Sequence, residues 1–361
     1  MQIELYSDKE NEDYENFILS NAESYIFHTI EWKNILEDTY KFKPYYLLAK
    51  DDDKNIKAIL PLFYIKNFTS KKLESIPRSP HGGIIGETKY FESLVKKAIE
   101  LKENLNCRYL VIKQPPCDSK IEDSFQNFGM TKMKLRVNHI IAIKDKEPEI
   151  LWNNLKDKNR GAIRKAKKNN ITIEKIYDKK ELKEIHYLEL LSNKRAGLFT
   201  PDIKYYEKIW DELNPKNYLE ILIAKYENEP VSFGIFFKLH KRMVHAHLGY
   251  NIKGRDLGAN NLILWTALED CCKQGYEIFD FGASALDDKG NIPEHFKGIY
   301  SYKCAFNTYN LPYSWFFYPS YKTGLDEISN PTKISRTEEE IIKKIPNFII
   351  KKYGTFLIKK L

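Results

Sequence analysis

Cysteine is scarce. The 361 residues contain five, Cys107, Cys117, Cys271, Cys272 and Cys304. Two are adjacent and three are scattered, so they form neither a disulfide framework nor a zinc-ligand spacing. That points to a reducing interior, and no metal is expected. Long apolar runs are also missing. None approaches the roughly 18 residues that read as a membrane span. The start, Met1-Gln2-Ile3-Glu4, lacks the basic residues and apolar stretch of a signal peptide, so a cytoplasmic location is expected. No internal repeat is visible. Strong charge asymmetry is absent as well: Lys+Arg 58 against Asp+Glu 50 leaves +8, a mild balance whose interest lies in its clustering.

The remainder is the composition of a folded protein, 42% hydrophobic and 14% aromatic, long enough for two domains. In the first half, residues 2–6, 44–49, 56–64, 72–76, 108–113 and 138–143 read as strands. Helices are expected over 8–19, 29–40, 90–105 and 121–128, with Thr29 capping the helix that carries Trp32. Pro61 inside a strand suggests an edge or a bulge. Gly82-Gly83 either lets backbone approach a ligand or makes a tight turn. Glu147-Pro148 marks a domain boundary.

The second half opens with one expected helix, 150–169. Trp152, Leu155, Ala162, Ile163 and Ala166 take its inner face. Lys156, Arg160, Arg164 and Lys168, four apart, make a basic ridge, and Asp157 is the only acid between Trp152 and Asn170. Such a face is either ordinary solvated surface or a seat for phosphate. Strands over 218–224, 231–239 and 243–250 follow, the last placing His245 and His247 on one side. Arg255-Asp256-Leu257-Gly258-Ala259-Asn260 precedes a helix from Asn261, a weak phosphate-loop signal.

The stretch from Gly275 to Phe306 organises the rest. A short strand ends in Asp280, Gly282 allows a turn, and Ser284 adds a hydroxyl. A polar loop then leads to Phe296-Lys297 and to Tyr302-Lys303. Asp280 can accept a proton or cap the turn. The aromatic cluster over 300–318 reads as core and edge strand. The tail after Pro331 alternates isoleucines and phenylalanines with lysines and is broken by Pro346. It is expected to dock on the body, the alternative being peripheral contact with an anionic membrane.

In this order the features resemble the FemABX family and the wider FemAB-like branch of the GNAT superfamily. The resemblance rests on Phe27-His28-Thr29-Ile30-Glu31-Trp32, Tyr45 to Ala49, Ala58 to Leu62 and Ser75-Ile76-Pro77 with Gly82-Gly83. It continues through Arg164-Lys165-Ala166, Gly249, Arg255, Asn260-Asn261, Leu264-Trp265, Phe279 to Gly282 and Phe296-Lys297. It implies an α/β (α+β) fold of two tandem GNAT-like domains, 1–147 and 148–325, each a mixed sheet flanked by helices, then a helical basic tail over 326–361. The implied activity is transfer of an aminoacyl group from charged tRNA, as co-substrate, to an amine of a phosphate-bearing cell-wall precursor. Lys297 would stabilise the oxyanion, with Phe296 positioning it and Asp280 nearby. Arg160, Arg164, Lys168, Lys156, Arg255, Asn260, Ser284, Trp32, Gly82 and Gly83 would contact substrate. The alternative is N-acylation of an amino sugar or polysaccharide precursor from acyl-CoA or an acyl carrier, but Asn260 stands where CoA-dependent relatives have a small residue. A non-catalytic binding protein is the third reading.

Overall fold

The computed structural model describes residues 2–67, 70–115, 119–287, 289–319 and 336–360. The chain forms two compact units. The first comprises 1–137, 285–293 and 311–331; the second comprises 138–284, 294–310 and 332–361. These units are not the linear blocks read from the sequence with boundaries at 147 and 325. Residues 138–147 group with the second unit, and 285–293 and 311–325 with the first. Linear reading places boundaries at polar breaks, whereas strand pairing gathers distant segments into one core.

The first unit holds β1 (Gln2–Leu5), α1 (Asn11–Ser20), α2 (Ile30–Tyr40), β2 (Lys43–Lys50), β3 (Ile56–Lys66), β4 (Lys71–Ser75), β5 (Ile85–Gly86), α3 (Phe91–Asn104), β6 (Tyr109–Gln114) and α4 (Ser119–Asn127). β7 (Thr131–Ala142) starts in it and ends in the second unit. The strands run in the order β1-β2-β3-β4-β6, only β4 and β6 being parallel. Phe91, Leu94, Val95 and Ala98 recur at helical spacing on α3 and bury against Leu47, Leu60, Leu73 and Leu110 of the sheet. Pro61 lies in the middle of β3, a central strand, where an edge or bulge was expected. Its carbonyl accepts from Ile76 just beyond the end of β4, and β5 pairs only with residues 58–59. Proline's missing N–H therefore falls in a gap between partners, where no ladder bond is lost.

The second unit continues with α5 (Pro148–Asn154), α6 (Asp157–Lys168), β8 (Thr172–Lys175), α7 (Leu182–Arg195), α8 (Ile203–Leu213), β9 (Leu219–Tyr226), β10 (Glu229–Leu239), β11 (Arg242–Tyr250), α9 (Ile252–Leu257), α10 (Ala259–Lys273), β12 (Ile278–Ala285) and α11 (Lys297–Cys304). After β13 (Tyr309–Tyr318), which pairs with β6 from Ser314 on, come α12 (Arg336–Lys344) and α13 (Asn347–Lys360) of the second unit. The order here is β12-β11-β10-β9-β8, antiparallel except for β11 with β12, which α10 connects. Leu264, Leu268 and Cys271 of α10 bury beside Ile163 and Ala166 of α6. Each unit is thus a mixed sheet flanked by helices.

The single helix expected over 150–169 is two. Leu155 and Lys156 are extended, with ψ of 142° and 148°. The Lys156 N–H donates to Ala305 at 3.1 Å, a tertiary bond that the helical periodicity did not reveal. The tail docks as expected where it is described: Ile342 and Ile350 are buried, and the Thr355 hydroxyl accepts from the Asp202 N–H at 2.9 Å. Residues 320–335 of the tail region lie outside the described residues.

Candidate active site

β11 and β12 pair only from Arg242–Val244 to Ile278–Asp280 and then separate. The β-prone run Ile278-Phe279 is held in the sheet, and the fork opens at Asp280, the last paired residue. Gly282 turns the chain with φ +72°, where a side chain would be strained; a Cβ there would sit 3.4 Å from the His245 carbonyl.

Asp280 is 1% exposed. One carboxylate oxygen accepts from the Gly282 N–H at 2.7 Å and the other from Asn138 Nδ2 at 2.7 Å. Burial outweighs these bonds and the positive charges of Arg242 and Lys303, so its pKa is pushed up to about 6. Turn capping, one of the two roles read for it, is thus its observed contact.

Lys303, on α11, reaches into the fork. Its ammonium donates to the Ala283 carbonyl at 2.9 Å and would be 3.8 Å from a Cβ on Gly282. The same charge acts on three neighbours. It favours ionised Asp280, and it adds to burial in pulling His139 down to about 4 and His245 down to about 3. Both imidazoles are therefore neutral at pH 7. His139 Nε2 lies 2.8 Å from the Ser284 hydroxyl, its Nδ1 lies 3.3 Å from that of Thr308, and its ring meets Tyr300 edge-on. An ammonium held on the Ala283 carbonyl, near neutral imidazoles and hydroxyls, is of the chemical type that donates to a developing oxyanion.

Of the expected site residues, the fork brings together Asp280 and Ser284. Lys297 begins α11 with its side chain 60% exposed and paired with Glu294 at 2.5 Å, and Phe296 caps that helix half-buried. Trp32 is a core residue, 2% exposed and edge-on to Phe27. Gly82 and Gly83 admit a close backbone approach, but the approaching backbone is the protein's own. The Gly82 N–H donates to the Lys113 carbonyl, and a Cβ on Gly83 would lie 2.9 Å from Gln114 Cα.

The basic ridge is divided. Arg160 folds back, donating to the carbonyls of Asn153 and Leu155 at 2.8 and 2.6 Å and pairing with Asp157, so it closes the end of α5. Lys156 is the N-cap residue of α6, ahead of its first turn. Arg164 lies over the Trp152 ring at 5.6 Å, and with Lys165, Lys167 and Lys168 it is exposed. The groove beside it, about 290 Å³, includes Glu149 and Glu269, carboxylates that repel phosphate.

Asn260 does not crowd a phosphate. Its side chain turns inward and accepts from Ser232 at 2.7 Å. Arg255 lies on the surface beside Asp256, its Nε donating at 3.1 Å. What closes the loop is α6: a Cβ on Gly258 would stand 2.5 Å from the Ala162 carbonyl oxygen. His245 and His247 are separated by a bulge in β11, since Ile235 pairs with His247 and Phe236 with His245. His247 instead bridges Glu189 and Tyr205.

Lys303, Asn138 and His139 were missed as site residues. Asn138 and His139 read as ordinary strand positions. Lys303 had a signal, because Tyr302-Lys303 repeats the aromatic-lysine step of Phe296-Lys297.

A family model described as an acetyltransferase (GNAT) domain matches residues 154–298, which include Asp280. A Staphylococcus aureus protein named Lipid II:glycine glycyltransferase is 23% identical over 239 residues, 60% of this chain and 54% of its own length. The chain thus spans about half the length of that curated relative. The crystal structure of FemX covers 88% of this chain and 97% of its own at 17% identity, with a TM-score of 0.70. A tandem GNAT protein from the clavulanic acid biosynthesis pathway covers 90% of this chain and 100% of its own at 8% identity, with a TM-score of 0.55. The fold is therefore that of tandem GNAT proteins, and among them the chain is similar in sequence and in fold to FemX-type proteins.

Proposed function

We propose that this chain is an aminoacyltransferase that moves an amino acid from charged tRNA to an amine of a lipid-linked cell-wall precursor. The observation that carries the reading is Lys303, a lysine directed into the fork between β11 and β12 and anchored on the Ala283 carbonyl. The relative's printed name supplies the class of acceptor. The amine attacks the ester carbonyl carbon, the carbonyl oxygen takes up negative charge, and the Lys303 ammonium donates to it. Collapse breaks the bond to the tRNA hydroxyl oxygen, which leaves with the proton lost by the amine. One such donor contributes about 3–4 kcal/mol to the transition state.

Asp280 keeps the turn and the ammonium in register, since its carboxylate holds the Gly282 N–H. Arg164, Lys165, Lys167 and Lys168 supply exposed positive charge for tRNA phosphates. Packing of Ala162 against Gly258 disfavours acyl-CoA, whose diphosphate would need the space α6 fills. Acceptance of a lipid-linked substrate places the work at a membrane surface, with no helix among the described residues long and apolar enough to cross it.

The test compares Lys303→Met with Lys297→Ala in transfer of labelled amino acid from charged tRNA to lipid II, with acetyl-CoA as the competing donor. Lys303→Met is expected to lose about a hundredfold or more in rate, and Lys297→Ala less than about threefold. The reverse ranking would return the role to Lys297. Transfer from acetyl-CoA alone would refute the tRNA reading.

A further inference from the structure

The docked tail has a second apolar face. α13 is fixed by one side: Ile350 is buried, Asn347 accepts from Lys194 at 2.9 Å, and Gly354 packs directly against the Thr200 carbonyl. Helical geometry then sets what points away. Phe348, Lys352 and Phe356, four apart, form one outward stripe, with Tyr353 beside it. Phe348 is 70% exposed, Phe356 54% and Tyr353 46%. Ile341 of α12 and Tyr187 of α7 are exposed too, with Lys351 Nζ 5.3 Å from the Tyr187 ring centroid. Two exposed phenylalanines two helical turns apart gain nothing from water.

Lysines dominate the charge around them, although Glu340 of α12 is exposed and pairs with Lys343 at 2.7 Å. Residues 341–361 carry six lysines and no acidic residue. Large apolar and aromatic side chains interleaved with lysines, on a helix too short and too charged to span a bilayer, are the make-up of an interfacial helix. A second copy of this chain would bring the same positive face against itself. An anionic bilayer supplies both an apolar layer for the rings and negative headgroups for the lysines.

We propose that the outward face of α12 and α13 lies on the surface of an anionic lipid bilayer, the phenylalanines entering the headgroup boundary while the inner face stays docked on α7. The inference stands on the tail alone and holds whatever group the enzyme transfers.

The test is cosedimentation of the full chain with vesicles of phosphatidylcholine alone and of phosphatidylcholine mixed with phosphatidylglycerol, at low and high salt and without substrate. The wild type is expected to bind the mixed vesicles, less so at high salt. Phe348→Ser with Phe356→Ser should lower binding about tenfold or more at an unchanged melting temperature. Lys344→Gln with Lys352→Gln should weaken binding at low salt and flatten its salt dependence. No binding by the wild type, or equal binding by the phenylalanine variant, overturns the proposal. So does a dimer in sedimentation that the same variant abolishes, since the face would then serve self-association.

Discussion

Replacing Asp280 with asparagine should stabilise the protein, and the gain should depend on pH. A buried carboxyl with its pKa raised from 3.8 to about 6 binds its proton more tightly in the native state than in the unfolded chain. Its contribution to stability is therefore full below about pH 4 and is lost as pH rises through about 6. A shift of about two units corresponds to about 3 kcal/mol when the group is fully ionised, as an order of magnitude. Asparagine keeps an oxygen for the Gly282 N–H. Asn138 can serve the new amide by turning over, because its own Oδ1 has no hydrogen-bond partner among the described residues. The pair then matches without a buried charge. The assay is denaturant unfolding of wild type and Asp280→Asn at about pH 4.5 and about pH 8. The stability of the variant relative to wild type should rise between those values by about 2 kcal/mol. Taking the difference between the proteins cancels groups common to both, including the buried neutral His139 and His245, which destabilise the native state as pH falls. A difference independent of pH would refute the claim that burial dominates at Asp280.

Two further outcomes follow from the second unit. Arg160→Ala should cost about 1–2 kcal/mol in unfolding free energy, since it strips two carbonyls at the end of α5 of their donor. Arg164→Ala, on the open face of α6, should cost under about 1 kcal/mol; equal losses would restore a uniform ridge. Gly258→Ala should destabilise by about 2 kcal/mol or more, because φ is +79° and the added methyl would meet the Ala162 carbonyl oxygen. A neutral result in thermal unfolding would show that α6 does not close over that loop.

Most elements were legible in the sequence, though not the break between α5 and α6 or the start of β7. The spacing of Phe91, Leu94, Val95 and Ala98 made a helix, the apolar run before Asp280 made a strand, and Gly282 demanded a turn. These are local facts, set by periodicity and backbone sterics. Which lysine enters the fork was beyond that reach, because Lys297 and Lys303 follow aromatic residues alike. Six residues along α11 separate an exposed ammonium paired with Glu294 from one held against Ala283. The basic ridge lost Lys156 for a similar reason. Its spacing assumed one unbroken helix, but the Lys156 N–H is taken by Ala305, nearly 150 residues away. Likewise Trp32, Gly82 and Gly83 look like ligand contacts until the protein's own core and β6 are seen to occupy them. Periodicity says which side of an element is apolar. Only tertiary packing decides what that side meets, and a side chain's chemistry depends on what it meets.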